Sequence, residues 1–461
     1  MNPAPENKSV DIAPLLDDGR WTPYLMLLVG LTALAIVFDG ADIQLLGLAI
    51  PSMGKEWGVE REAFASLFAV GMVGMMIGGS TAGLIGDRVG RKTALIGSVT
   101  VFGVATLAMS KVNGVDALGL LRLLAGLGLG GAMPNAAALA SEYVPRRKRY
   151  VAVTLTIVCV PLGGMLAAYL AGLILPAFGW RGLFVVGGLI PMGLALQLLF
   201  LLPESPRFLV TRQQRWPELR NFLRRAGHAI PAEMGLTDST EKPAARGSLP
   251  ALFVPALLRD TLALWGAFLS CMLAVYTCFN WLPTLLTKAA MNVSDGMLAF
   301  NLGGVFGALG GGFLISRLGS KPVMLTLAGG AVVVGVLMAN MTMSSGSAVT
   351  LMLVLLDGNL TMGPGSATTL MLVLLGCMIN AVQVTMYALA AHVYPAAVRA
   401  TGVGSAASIG RVGGLLSSYA GVWALQGGGT GTYFYFLAGA MAVSLVALAL
   451  VTRHVARPTG K

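Results

Sequence analysis

Twelve runs of about twenty mostly apolar residues punctuate the chain, and a run of that length is what a helix needs to cross a bilayer core. They lie at about 24–49, 63–86, 93–110, 116–140, 150–175, 181–202, 260–286, 296–316, 321–343, 368–393, 400–424 and 432–452. Composition agrees. Only 11% of the 461 residues are charged and 56% are hydrophobic, whereas a soluble domain is about one-quarter charged. No polar stretch is long enough to fold as a separate enzyme domain. The sequence predicts an all-α integral membrane protein.

The net charge of +11 is explained by position. Lys55, Arg61, Lys111, Arg181 and Lys288 lie in odd-numbered loops and Arg122 and Arg411 within spans. The other 24 of the 31 basic residues fall in the termini and even-numbered loops. Basic residues collect on the cytoplasmic side of membrane proteins, so both termini are expected there, and nucleic acid is not an expected partner. The opening segment 1–22 carries four acids before the first span and lacks the pattern of a signal peptide. Cys159, Cys271, Cys278 and Cys377 sit singly in apolar runs, without metal spacing. No metal or other cofactor is expected.

A basic loop, 203–259, divides the spans into halves at 23–202 and 260–452, with a short tail at 453–461. Within the loop, Trp216–Ala226 reads as an amphipathic helix on the membrane surface. The halves repeat. Asp87-Arg88-Val89-Gly90-Arg91-Lys92 recurs as Ser316-Arg317-Leu318-Gly319-Ser320-Lys321, and Tyr143-Val144-Pro145 is echoed by Tyr394-Pro395. Lys92 to Lys321 is 229 positions but Pro145 to Pro395 is 250, so the second half carries an insertion between spans 8 and 10. Thr350–Leu356 recurs as Thr369–Leu375, 19 positions later. A tandem duplication, about 348–366, accounts for both and is placed in the outer loop before span 10. Parallel six-helix repeats are a transporter architecture with the substrate site at their interface.

Gly126, Gly128 and Gly131 match a dinucleotide fingerprint by letter, but they lie mid-span rather than between strand and helix, and read as packing positions. Asp39 and Asp42 are more informative. They share one face of span 1, and each acid at a helix centre costs about 2.5–3.5 kcal/mol on insertion scales. Such acids mark ion or proton paths; the alternative is a structural pair with Arg122, at similar depth in span 4. Glu142, at the inner end of span 4, is either a gate residue or solvated. Arg411 lies near midplane in span 11. It cannot shed its charge, and its half supplies no acid inside a span, so its partner is a substrate carboxylate or an acid of the first half. Asn380, Gln383 and Tyr387 form a stripe on span 10, and Tyr276, Asn280 and Trp281 another on span 7. Either could hold an aromatic ring or join helices. His392 is a weaker proton-relay candidate.

At these residues the chain resembles the major facilitator superfamily: Gly83-Leu-Ile-Gly86-Asp87-Arg88-Val89-Gly90-Arg91-Lys92 is similar to its loop 2–3 signature, and Arg122 with Gly126, Gly128 and Gly130 to its span 4 motif. Pro203–Arg207 does not discriminate among subfamilies. Asp39-Gly40-Ala41-Asp42 does, and resembles the D-G-x-D element of the aromatic acid:proton symporters, multi-pass carriers of the bacterial inner membrane. The resemblance implies that Asp39 and Asp42 couple protons to substrate, and that Asp87, Arg88, Arg91 and Lys92 form a cytoplasmic latch. Arg122, Glu142, Arg399 and Arg411 match charged positions associated with transport. Span 5 lacks the full Gly-Pro pattern of antiporters, which favours symport.

The expected function is import of a benzoate- or hydroxybenzoate-type acid with protons, by alternating access, in a protein active as a monomer. A sugar, polyol or other organic acid porter shares the fold but would not need two acids in span 1 and an unpaired Arg411. A sensor without transport would need an output domain, for which the central loop is too short.

Overall fold

The structure, a computed structural model, describes residues 9–231, 233–239, 249–341, 364–395, 398–427 and 429–456. Among them, ten helices are long and apolar enough to cross a membrane. One of these, Arg149–Leu201, is two helices joined at Gly179, whose φ of 64° breaks the helix before Trp180. Arg399–Gln426, interrupted by polar residues, completes twelve. We number them α1 (Pro23–Trp57), α2 (Ala65–Val89), α3 (Arg91–Met109), α4 (Val115–Tyr143), α5 (149–178), α6 (180–201), α7 (Pro255–Lys288), α8 (Val293–Leu318), α9 (Ser320–Asn340), α10 (Pro364–Val393), α11 (Arg399–Gln426) and α12 (Thr430–Leu450). Every expected span coincides with one helix. Many large apolar side chains, among them Phe200, Phe178, Leu84 and Phe306, face outward, as the lipid-facing surface of a multi-pass membrane protein requires.

Glycines set the helix pairings, and they do so twice. α2 packs on α4 as α8 packs on α10, and α1 on α5 as α7 on α11. At the first pair, a side chain on Gly74 or Gly78 would strike the carbonyls of Leu123 and Leu127; at the second, one on Gly303 or Gly307 would strike those of Val373 and Cys377. The matching residues are 229 positions apart on α2 and α8, and 250 apart on α4 and α10. The change of offset read from the sequence is therefore present in the packing. Backbones that approach this closely gain dispersion contacts, which drive helix association where both surroundings are apolar.

Between the halves, α2 meets α11, α8 meets α5, and α1 meets α7. The end of the bundle carrying residues 9–22 and 451–456 is called the tail side below, and the opposite end the far side.

The first copy of the duplicated segment lies outside the described residues; the second falls within α10. Deleting residues 348–366 removes the first copy and only the first three residues of α10. We expect the shortened protein to reach the membrane and transport at a rate within about twofold of the full chain, since the deletion brings the spacing of the second half back close to that of the first. Membrane yield and initial uptake rate check this; loss of the protein from the membrane would place the segment within the helical core.

On the tail side the segment before α1 is ordered by the central loop. β1 (Ser9–Asp11) pairs in parallel with β2 (Gly235–Thr237), and Asp17 of the short helix Ile12–Asp17 takes Arg149 and Arg207. The basic helix Trp216–Arg225 departs from expectation. Its Leu219, Phe222 and Leu223 are buried in the protein, with Phe222 against Tyr24 and Tyr143. Its apolar face is covered by α1 and α4 rather than by lipid. On its polar face, Arg215 holds the Glu218 carboxyl below its ordinary pKa through hydrogen bonds of 2.9 and 2.7 Å.

Candidate functional site

Midway along the bundle, both halves contribute to one small chamber of about 60 Å³. Asp39 (α1), Leu129 (α4), Val160 and Pro161 (α5) come from the first half. Met272, Tyr276 and Phe279 (α7), Gln383 and Tyr387 (α10) and Arg411 (α11) come from the second. Four features suit its walls to an aromatic anion, which the chamber must widen to hold, since at about 60 Å³ it has room for about two waters. Its walls carry three rings, of which Tyr387 is held edge-on by Phe268 at 5.1 Å and Tyr276 by Phe279 at 5.9 Å. The Gln383 amide donates to the Met272 sulfur, at 3.5 Å, a weak acceptor. Asp39 is 3% exposed and its Oδ1 has no hydrogen-bond partner among the described residues. Arg411 makes no ion pair among the described residues.

Arg411 reaches the chamber across α2 because position 79 is glycine: a Cβ there would lie 2.5 Å from its Nη1. Counting back 250 positions, the first-half counterpart of Arg411 is Pro161, which lines the same chamber. The two-fold repeat therefore puts a cation on one side and an uncharged ring on the other.

The two acids of α1, treated alike in the sequence, are separated by the structure. Asp42 is 1% exposed, pairs through Oδ2 with Arg122 Nη1 at 2.9 Å, and accepts from the Thr106 hydroxyl. Arg122 also lies against Gly71 of α2. The structural pair weighed for Arg122 is thus formed, with Asp42 alone, and leaves Asp39 toward the chamber. Thr106 had no sequence signal beyond a hydroxyl in an apolar run.

Several expected lining residues stand elsewhere. Asn280 donates to Ser417 at 3.2 Å, tying α7 to α11, and borders with Arg122 a cleft of about 10 Å³, room for about one water. Trp281 packs on Phe68 at 5.5 Å and over Gly421. Asn380 bonds back to the Gly376 carbonyl at 2.9 Å and presses on Gly304, so the expected α10 stripe divides, with only Gln383 and Tyr387 reaching the chamber. Asn280, Trp281 and Arg122 lie on the far side of it, where the halves are in contact.

That contact is closed by a pair of buried amides with little signal in the sequence. Gln44 of α1 and Asn301 of α8 exchange two amide hydrogen bonds of 2.9 Å each, both side chains fully buried. Amides in apolar runs were its only signal. Each such bond contributes about 1 kcal/mol, and opening the far side must break both. We expect Gln44→Leu to shift the balance toward far-side opening by about thirtyfold, read as faster labelling of Phe68→Cys by a maleimide supplied on the far side. Unchanged labelling would remove the pair from the closure.

The tail side is open. A vestibule of about 510 Å³ begins at Arg411 and Tyr387 and widens between the tail-side halves of α4, α8, α10 and α11. Elsewhere on the tail side, the charged residues at the α2–α3 turn bind within the first half and to the central loop. Arg91 reaches Asp87 at 3.0 Å and Glu142 at 3.1 Å, and Glu142 also accepts from Ser205. Lys92 Nζ donates to Leu199 O, and Arg212 to Arg88 O. Arg399 is exposed and donates to Tyr394 O at 3.3 Å; His392 is exposed as well. Glu204, from the Pro203–Arg207 stretch, caps the start of α3 at Lys92 N, 2.9 Å away.

The family model of the Major Facilitator Superfamily matches residues 32–374. The chain is 33% identical over 423 residues to the 4-hydroxybenzoate transporter PcaK of Pseudomonas putida, covering 90% of this chain and 89% of that protein. It is 31% identical to a gallate transporter of the same organism, with the same coverage, and 28% identical to a benzoate transport protein of Acinetobacter baylyi, over 91% of this chain and 88% of that one. The fold is similar to the inward open conformation of the xylose transporter XylE from E. coli, with a TM-score of 0.72 at 16% identity, covering 95% of this chain and 98% of that one.

Proposed function

The chain belongs to the major facilitator superfamily, and we propose that it carries an aromatic carboxylate inward together with protons, by alternating access, as a monomer in a bacterial inner membrane. It is a transporter and not an enzyme. One observation carries the reading: a ring-walled chamber between the halves contains both Asp39, whose Oδ1 has no hydrogen-bond partner among the described residues, and Arg411, which makes no ion pair within 4 Å among them. The relatives named for 4-hydroxybenzoate, gallate and benzoate support the substrate class.

In this reading the substrate carboxylate docks on Arg411 and its ring lies among Tyr276, Phe279 and Tyr387, with Gln383 meeting a ring substituent. Asp39 carries the proton. When substrate occupies Arg411, an ionised Asp39 would add a second anion to the same small chamber, so it loads protonated. When substrate leaves, Arg411 becomes the counter-ion that lets Asp39 release its proton. Asp42 acts through Arg122, holding α1 to α4 on the far side. Asp87, Arg88, Arg91, Lys92 and Glu142 serve as the tail-side gate, with Arg399 opposite them, and the excess of basic residues there supports a cytoplasmic tail side. An anion entering alone opposes an inside-negative potential by about 2.3 kcal/mol per 100 mV; entry with more than one proton reverses that penalty.

Uptake of labelled 4-hydroxybenzoate into cells expressing the protein tests this. Accumulation that collapses with a protonophore is expected. Accumulation of sugars but not of aromatic acids would favour a sugar porter on the same fold.

A further inference from the structure

The vestibule does not end the chamber so much as extend it. Arg411, Tyr387, Val384 and Met133 line both spaces, so one guanidinium stands at their junction. The chamber is about 60 Å³, whereas the vestibule, at about 510 Å³, falls in the range of ligand sites for drug-sized molecules. Six of its fourteen described lining residues are alanine or glycine (Ala137, Ala308, Gly312, Ala388, Ala391 and Ala407), and most of the rest are apolar. An apolar space headed by one permanent cation, with no acid among the described lining residues, complements an amphiphilic anion.

We propose that the vestibule is a second binding site, open to the cytoplasm, for aryl carboxylates with long para-alkyl substituents. It rests on the reading of Arg411 as the carboxylate anchor. The head group stays on Arg411 while the alkyl chain extends toward the tail side, away from Asp39. Such a ligand holds the halves apart where they must close, and so is bound without being carried. This separates what the protein binds from what it transports: the chamber limits transport to compact rings, and the vestibule admits longer acids as inhibitors.

The test compares benzoate, 4-hydroxybenzoate, 4-butylbenzoate and 4-butylbenzamide by calorimetric binding to the purified full-length protein. Each buried methylene tightens binding about fourfold, so 4-butylbenzoate should bind at least about tenfold tighter than benzoate, and the amide should bind poorly. Ala137→Leu and Ala391→Leu narrow the vestibule without touching the chamber; each should erase most of the butyl gain while leaving 4-hydroxybenzoate affinity within about twofold. Labelled 4-butylbenzoate should not accumulate in proteoliposomes. Failure of 4-hydroxybenzoate itself to bind would overturn the anchor reading. Normal 4-hydroxybenzoate binding with no butyl gain, or a gain indifferent to both leucine variants, would overturn the vestibule site alone.

Discussion

Asp39→Asn is expected to abolish accumulation of an aromatic acid against its gradient while preserving exchange of internal for external substrate, whereas Asp42→Asn is expected to lose folded protein. The two acids stand three residues apart, but their surroundings call for opposite outcomes. Asp42 neutralises Arg122 at 2.9 Å, with both side chains under 10% exposed. Removing one partner of a buried pair strands the other charge, at about 3–5 kcal/mol. That is a large share of a total stability of about 5–15 kcal/mol, so a lower melting temperature and poorer membrane yield should follow. Asp39 makes no such pair among the described residues, and an amide fits its place at little cost. What it loses is the proton. Counterflow in proteoliposomes without a pH gradient reads exchange separately from accumulation. Equal loss of fold in both variants, or accumulation by Asp39→Asn at matched expression, would contradict the division of roles.

Arg411→Lys is expected to raise the apparent KM for aromatic acids by about tenfold to a hundredfold, because an ammonium loses the planar two-bond geometry and charge-assisted hydrogen bonds contribute about 1.5–3 kcal/mol. Arg411→Gln should be more severe. Gly79→Val should imitate both without altering the site's charge, since its side chain would occupy the space of the guanidinium, 2.5–2.9 Å from Gly79's missing Cβ. Competition with benzamide supplies the complementary check: the neutral analogue should inhibit benzoate uptake only weakly. Inhibition by the amide equal to that by the acid would mean that charge does not select the substrate.

The parts of this molecule legible in its sequence are those governed by length, period and cost. Apolar runs set the helices, and a shift of offset from 229 to 250 located an insertion that the glycine contacts of α2–α4 and α8–α10 reproduce. Charges inside spans pointed to Asp39, Asp42, Arg122 and Arg411 because an uncompensated charge there is expensive. Neighbours were not legible. A helical face tells which residues travel together but not which helix they meet, so Asp39 and Asp42 could not be told apart until α4 brought Arg122 to one of them. Asn380 fell from the expected stripe for the same reason, since Gly304 brings α8 against it. Gln44 and Asn301 are 257 positions apart, and each amide alone looks like any polar residue in a helix. The basic helix at Trp216 shows the limit of amphipathicity: the pattern marks an apolar face but not what covers it.

Internal pH recorded in proteoliposomes during substrate addition tests the coupling most directly. Vesicles hold a pH-sensitive dye and an inside-negative potassium diffusion potential, and protein-free vesicles supply the baseline. On adding 4-hydroxybenzoate, the wild-type lumen should acidify in step with uptake of label, while Asp39→Asn vesicles stay at baseline. Uptake of label with no acidification, or acidification unchanged by Asp39→Asn, would show that protons do not travel through Asp39 with the acid.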